Sequence, residues 1–157
     1  MKLKLAAMIL GSIATASFAS ADDDWLKFRG KGGVSSTNAT LPTSFDAKKN
    51  IAWKVELPAK GASSPIVVGD KVIVTCSGGG NQDELYTVCL DRSSGKELWK
   101  QQFWATGRCF VHPLSANAAP TPASDGKHIF VFFSSNDLAC LDPVSYTHLT
   151  LPTIYSV

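Results

Sequence analysis

The stretch Leu85–Phe103, LYTVCLDRSSGKELWKQQF, reads as two strands joined by a tight turn. Leu85–Leu90 and Glu97–Phe103 are rich in β-branched, aromatic and alternating residues. Between them, Asp91 is placed to accept backbone N–H groups around Ser93 and Ser94. Gly95 supplies the positive φ that reverses the chain. Working outward, Pro65–Val68 and Lys71–Cys76 add two further strands upstream, which makes a unit of four.

The unit then starts again. SSPIVVGDKVIVTC, Ser63–Cys76, aligns with PTPASDGKHIFVFF, Pro120–Phe133, and the tripeptide CLD at Cys89–Asp91 returns at Cys140–Asp142. Pro65 and Pro122, like Gly69 and Gly126, lie 57 positions apart, whereas Cys89 and Cys140 lie 51 apart. The longer link SGGGNQDE in the first copy takes up the difference. Neither copy holds a sustained helical period, so the chain is expected to be all-β. A four-stranded repeat of about 50 residues with a turn signal between strands fits an antiparallel blade of a β-propeller better than a sandwich or a helical solenoid. Ile51–Leu57, IAWKVEL, resembles the fourth strand ELWKQQF, with Trp53 in the place of Trp99. It is expected to be a strand that completes the last blade of a closed ring, leaving no open edge.

The two ends have a different character. Residues 1–21 carry two lysines, an uncharged apolar and small-residue run from Leu5 to Phe18, and then Ala19-Ser20-Ala21, which is the pattern of a secretory signal peptide with cleavage set by Ala19 and Ala21. The run is too short and too interrupted for a membrane span, and no Cys stands near the cut for lipid attachment. At the other end, VSYTHLTLPT, Val144–Thr153, back-translates into a string resembling the adapter of transposase-based sequencing libraries. Residues 143–157 are therefore expected to be non-native. The expected division is a signal peptide over 1–21, an extended segment over 22–50, a partial propeller over 51–142 of about two blades plus a closing strand, and the tail.

Charge narrows the function classes. The whole sequence has 15 basic and 13 acidic residues, and removing Lys2 and Lys4 with the signal leaves 13 against 13. That balance offers no basic field for nucleic acid or anionic lipid.

LDRSSGKELWK resembles the blade motif of pyrroloquinoline-quinone-like (PQQ-like) propeller repeats: Asp, two residues, Ser or Thr, Gly, and a Trp four residues later. Asp91, Ser94, Gly95 and Trp99 match it, and the N-terminal WLKFRGKGGVSS, LPTSF and IAWKVELPAKGASSP resemble secreted members of the same superfamily. The resemblance implies that Trp99, and Trp53 by analogy, wedge between neighbouring blades. It also implies one of three functions: a cofactor-free binding scaffold, a quinoprotein alcohol or sugar dehydrogenase using PQQ and calcium, or an assembly factor at the outer membrane. The leading expectation is a secreted or periplasmic scaffold for a protein or small-molecule ligand, because every matched residue is architectural.

The candidate chemistry is sparse. Cys76, Cys89, Cys109 and Cys140 form an even set suited to disulfides. Pairing the hairpin by its turn puts Cys89 opposite about Val74 with Cys76 diagonal to it, so free buried thiols are expected. Cys109 and His112 offer two ligands without a second pair at metal-site spacing. Gly78-Gly79-Gly80 and Gly30-Lys31-Gly32-Gly33 lack the Lys-Ser/Thr and helix of a phosphate loop. Asn38-Ala39-Thr40 is a glycosylation sequon, expected to be silent in a bacterium. Trp104 lies outside the repeated position. Arg108 and His112, in the connection between units, are the candidate ligand surface.

Overall fold

The computed structural model describes residues 24–30, 42–44, 46, 48–145 and the backbone of 148–150. The expected cleavage residues Ala19 and Ala21 and the sequon at Asn38 lie outside the described residues. Every regular element described is a strand: β1 Ile66–Val68, β2 Lys71–Gly78, β3 Glu84–Asp91, β4 Glu97–Trp104, β5 Ala123–Ser124, β6 Ile129–Phe132, β7 Leu138–Leu141 and β8 His148–Thr150. They form two antiparallel four-stranded sheets, ordered β1-β2-β3-β4 and β5-β6-β7-β8. These are two successive blades of a β-propeller fragment.

The Asp91 turn shows why the third and fourth strands pair where they do. One carboxylate oxygen, Oδ1, accepts from the backbone N–H of Ser93 at 3.1 Å and of Ser94 at 2.8 Å, and from both hydroxyls. Gly95 sits at φ 72° and donates its N–H to the Asp91 carbonyl. Asp142 builds the same turn, accepting from the N–H of Val144 and Ser145. In each blade the ladder shifts register at the residue pair just before the turn, Cys89/Leu90 and Cys140/Leu141. A bulge at that point twists the outer strand locally.

Hydrogen bonding, first from Ser93 and then from Ser94, lowers the Asp91 carboxyl from 3.8 to about 2. A folded-state pKa below the unfolded one contributes stability above about pH 4, and the contribution disappears as pH falls towards 2. Asp125 and Asp142 are depressed in the same direction. Melting temperature measured against pH is therefore expected to fall between pH 4 and 2, with a shallower slope for Asp91→Asn. An identical slope would mean that the turn carboxylate does not report on folding.

The blades pack face to face. Ile66, Ile73, Leu85, Cys89 and Trp99 of the first meet Ile129, Val131, Phe133, Ala139 and Leu141 of the second in one buried cluster. The other face of blade 1, Val74, Cys76, Val88 and Leu90, lies under Trp53, Leu57 and Ala59. The far face of blade 2 leaves Phe130 and Phe132 each 38% exposed.

Three expectations change. First, Ile51–Leu57 lies across blade 1 but is not a strand. Its side chains pack as a preceding blade's would, while its backbone pairs with no strand among the described residues. Second, Ile73 rather than Val74 stands opposite Cys89, and Cys76 stands opposite Tyr86. A register change of one residue moves a side chain to the other face, so Cys89 lies in the core between blades and Cys76 in the core under Trp53. All four cysteines are free thiols. Third, the segment set aside as a non-native tail supplies β8, whose backbone pairs Thr150 with Cys140 and His148 with Leu141. Main-chain pairing along an open edge depends little on side-chain identity, and three residues here stand where β4 has eight.

Burial pushes the Cys89 thiol up to about 12 and raises Cys76 as well. Thiolate is the reactive form. Alkylation of the folded protein at pH 8 is expected to reach the half-exposed Cys109 and Cys140 first, with Cys76 and Cys89 slower by on the order of tenfold or more. Equal rates at all four, followed by peptide mapping, would contradict the packing.

Candidate functional site

The two ends of the blades differ. At one end, tight turns close on each other: Arg92 donates its N–H to the Asp70 carbonyl at 2.8 Å. At the other end, the β2–β3 link (residues 79–83), the β6–β7 link (133–137) and the long connection between blades (105–122) come together. This loop end carries the candidate surface.

Polar side chains hold it in place. Gln82, at φ 57°, turns its side-chain oxygen towards Ser77 Oγ at 3.2 Å and the Asn117 N–H at 3.0 Å. Asn117 Nδ2 donates to the Gln82 carbonyl at 3.2 Å and lies 3.3 Å from Cys109 Sγ. Asn117 is fully buried, and its Oδ1 has no partner among the described residues. Alongside, the Asp137 carboxylate accepts from the N–H and hydroxyl of Thr106 and from Ser135 Oγ. These bonds tie the start of the connection to blade 2. The chain passes so close there that a Cβ on Gly107 would run into the Ser135 carbonyl oxygen.

None of this network was legible beforehand. Gln82, Asn117 and Asp137 are single polar residues without a motif, and only the fold makes them neighbours. A buried Asn flanked by alanines, Ala116-Asn117-Ala118, was the one signal in the sequence that could have drawn attention.

Arg108 and His112 both lie on this connection, as expected, and engage different neighbours. The Arg108 guanidinium stacks 5.7 Å from the Phe110 ring centroid, while His112 Nδ1 accepts the Leu114 N–H at 3.2 Å. Phe110 and Leu114 are 86% and 87% exposed, which makes this loop the most apolar exposed part of the loop end. Burial, together with the nearby Asp83 and Asp137, raises the Cys109 thiol, which disfavours the thiolate needed for nucleophilic or metal chemistry. Among the described residues, no group of three or more His, Cys, Asp or Glu is placed to hold a metal ion.

A cleft of about 250 Å³ opens between the blades, lined by Phe103, Trp104, Phe133, Asp137, Leu138 and Ala139. Of its polar lining groups, Gln102, Thr106 and Asp137, the last two are bonded to each other and Asp137 also accepts from Ser135.

The motif residues sit at the contacts between blades. Trp99 is 8% exposed, and its Nε1 donates to the carbonyl of Pro143, next to the Asp142 turn, at 3.2 Å. Trp53 Nε1 donates at 2.9 Å to the carbonyl of Arg92, next to the Asp91 turn. Each indole thus caps the same position of the blade that follows it. Gly95 leaves room for this: a Cβ there would lie 2.6 Å from the Trp53 ring. Trp104, outside the repeated position, is 63% exposed.

A family profile described as outer membrane protein assembly factor BamB (PQQ_2) matches residues 15–145. The crystal structure of BamB from Moraxella catarrhalis is similar at 21% identity and a TM-score of 0.46, over 64% of this chain and 26% of that one. The chain therefore spans about a quarter of the length of that solved structure. No curated protein matches it. With the profile running through both blades and the segment that leads into them, the chain belongs to the PQQ_2 family of PQQ-like β-propeller repeat proteins.

Proposed function

We propose that this chain is part of a secreted or periplasmic PQQ-like propeller that works as a rigid binding scaffold, with its ligand taken at the loop end. The observation that carries this reading is where the repeat's side chains are used. Asp91 builds a turn, Gly95 makes room for an indole, and Trp53 and Trp99 cap the next blade, so the motif is spent on architecture. The loop end adds an exposed apolar and cationic surface, Phe110, Leu114 and Arg108, of the kind that recognises a protein. Residues 1–21 act as the signal that exports the chain, with cleavage after Ala21. Residues 143–157 replace a natural turn and fourth strand, and sequencing the intact locus tests that replacement.

A second reading places the scaffold in outer-membrane protein assembly, and the family description favours it. The quinoprotein reading, with PQQ and calcium on the propeller axis, rests on resemblance alone. One experiment separates the three. The complete secreted protein is equilibrated with calcium and PQQ and assayed for dye reduction with alcohols and sugars, and the same protein is crosslinked in the cell envelope. The scaffold reading expects no substrate-dependent reduction and a stoichiometric crosslink lost on Phe110→Ser with Leu114→Ser. If that partner is an outer-membrane protein, the assembly role stands. One-to-one PQQ binding with turnover would overturn the scaffold reading.

A further inference from the structure

The N-terminal hexapeptide WLKFRG, Trp25–Gly30, lies on the inner edges of both blades. β1 and β5 are the first strands of their sheets and come close to one another, so their free edges face the hub of the propeller. In β1, Ile66 and Val68 flank the pairing with β2, and the N–H and carbonyl of the intervening Val67 point the other way. Trp25 takes both: its N–H donates to the Val67 carbonyl at 2.9 Å, and its carbonyl accepts the Val67 N–H at 2.9 Å. The next residue crosses to the second blade, where the Leu26 carbonyl accepts the Ser124 N–H of β5 at 2.8 Å. On the other side, Asp24 Oδ1 accepts the Gly69 N–H in the β1–β2 turn at 2.8 Å.

Side chains fix this placement. Leu26 packs on the core between the blades. Gly30, at φ 62°, closes a turn by donating its N–H to the Lys27 carbonyl, and a Cβ there would meet the Trp25 ring at 2.8 Å. The Trp, the Leu and the Gly of the hexapeptide therefore each have a physical role in holding one segment against two short strands.

We infer that residues 24–30 are an inner-edge strap. With its own backbone the chain occupies the hub edge of blades 1 and 2, ties the two together there, and closes that edge to an extended peptide that would otherwise add to it as a strand. This inference does not rest on the scaffold reading.

Hydrogen exchange on the full chain tests it. The amides of Val67 and Ser124 belong to strands of three and two residues, and without the strap their N–H groups would face solvent. Both are expected to be protected. Trp25→Pro removes the N–H donated to Val67 and is expected to speed exchange at Val67 and Ser124 by on the order of tenfold or more, with Val74 and Val88 unchanged. Open-edge rates in the unaltered chain, or no change in the variant, would overturn the strap. Should Trp25→Pro lose protection everywhere, a paired Trp25→Cys and Val67→Cys variant decides, because these residues form a hydrogen-bonded antiparallel pair at disulfide range. A 25–67 crosslink on mild oxidation, identified by mass spectrometry, is expected; its failure to form would refute the proposal.

Discussion

Trp99→Ala is expected to lower the unfolding free energy by about 3 to 5 kcal/mol, the cost of emptying a buried aromatic site. The indole contributes to the core between blades and donates to the Pro143 carbonyl at 3.2 Å, so the substitution removes packing and a polar contact together. The loss should appear in denaturant titration of the complete protein as a lower midpoint with little change in slope. Trp104→Ala provides the control. That side chain is 63% exposed, and its removal should stay within about 0.5 kcal/mol. Equal effects at the two positions would mean that the repeated tryptophan does not join the blades.

Gly95→Ala is the second large effect, expected at about 2 to 4 kcal/mol from two sources. The position sits at φ 72°, which costs an L side chain about 1 to 2 kcal/mol. The added Cβ would also stand 2.6 Å from the Trp53 ring, and moving that ring breaks its 2.9 Å bond to the Arg92 carbonyl. Gly69 separates the two sources, because its φ is 59° and nothing lies within 4 Å of the added atom. Gly69→Ala should therefore show the backbone cost alone. Combining Gly95→Ala with Trp53→Ala should cost less than the two singly, since both remove the same contact. Full additivity would contradict the indole-on-glycine packing.

Local chemistry made the blade readable in advance. Asp91, Ser94 and Gly95 write the turn in side-chain hydrogen bonds and a left-handed backbone, and the near-continuous apolar and β-branched runs of Lys71–Cys76 and Leu85–Leu90 mark strands that bury both faces. The repeat then located Trp53 and Trp99 together. What escaped depends on partners distant in sequence. Ile51–Leu57 carries a strand pattern, yet pairing needs a neighbouring edge that two blades do not provide. The register at Cys89 turned on how many residues the Gly-rich link uses, a quantity that composition leaves open. The loop end was located only through Arg108 and His112. The residues that hold it, Gln82, Asn117 and Asp137, are brought together by tertiary structure from separate links.

An experimental structure of the complete secreted protein tests the central claim most directly. The account predicts successive four-stranded antiparallel blades around one axis, with the Trp53 indole on the Arg92 carbonyl, the Trp99 indole on the carbonyl of residue 143, and Phe130 and Phe132 covered by the blade that follows. Two units merged into one continuous sheet, or either indole turned out to solvent, would contradict it.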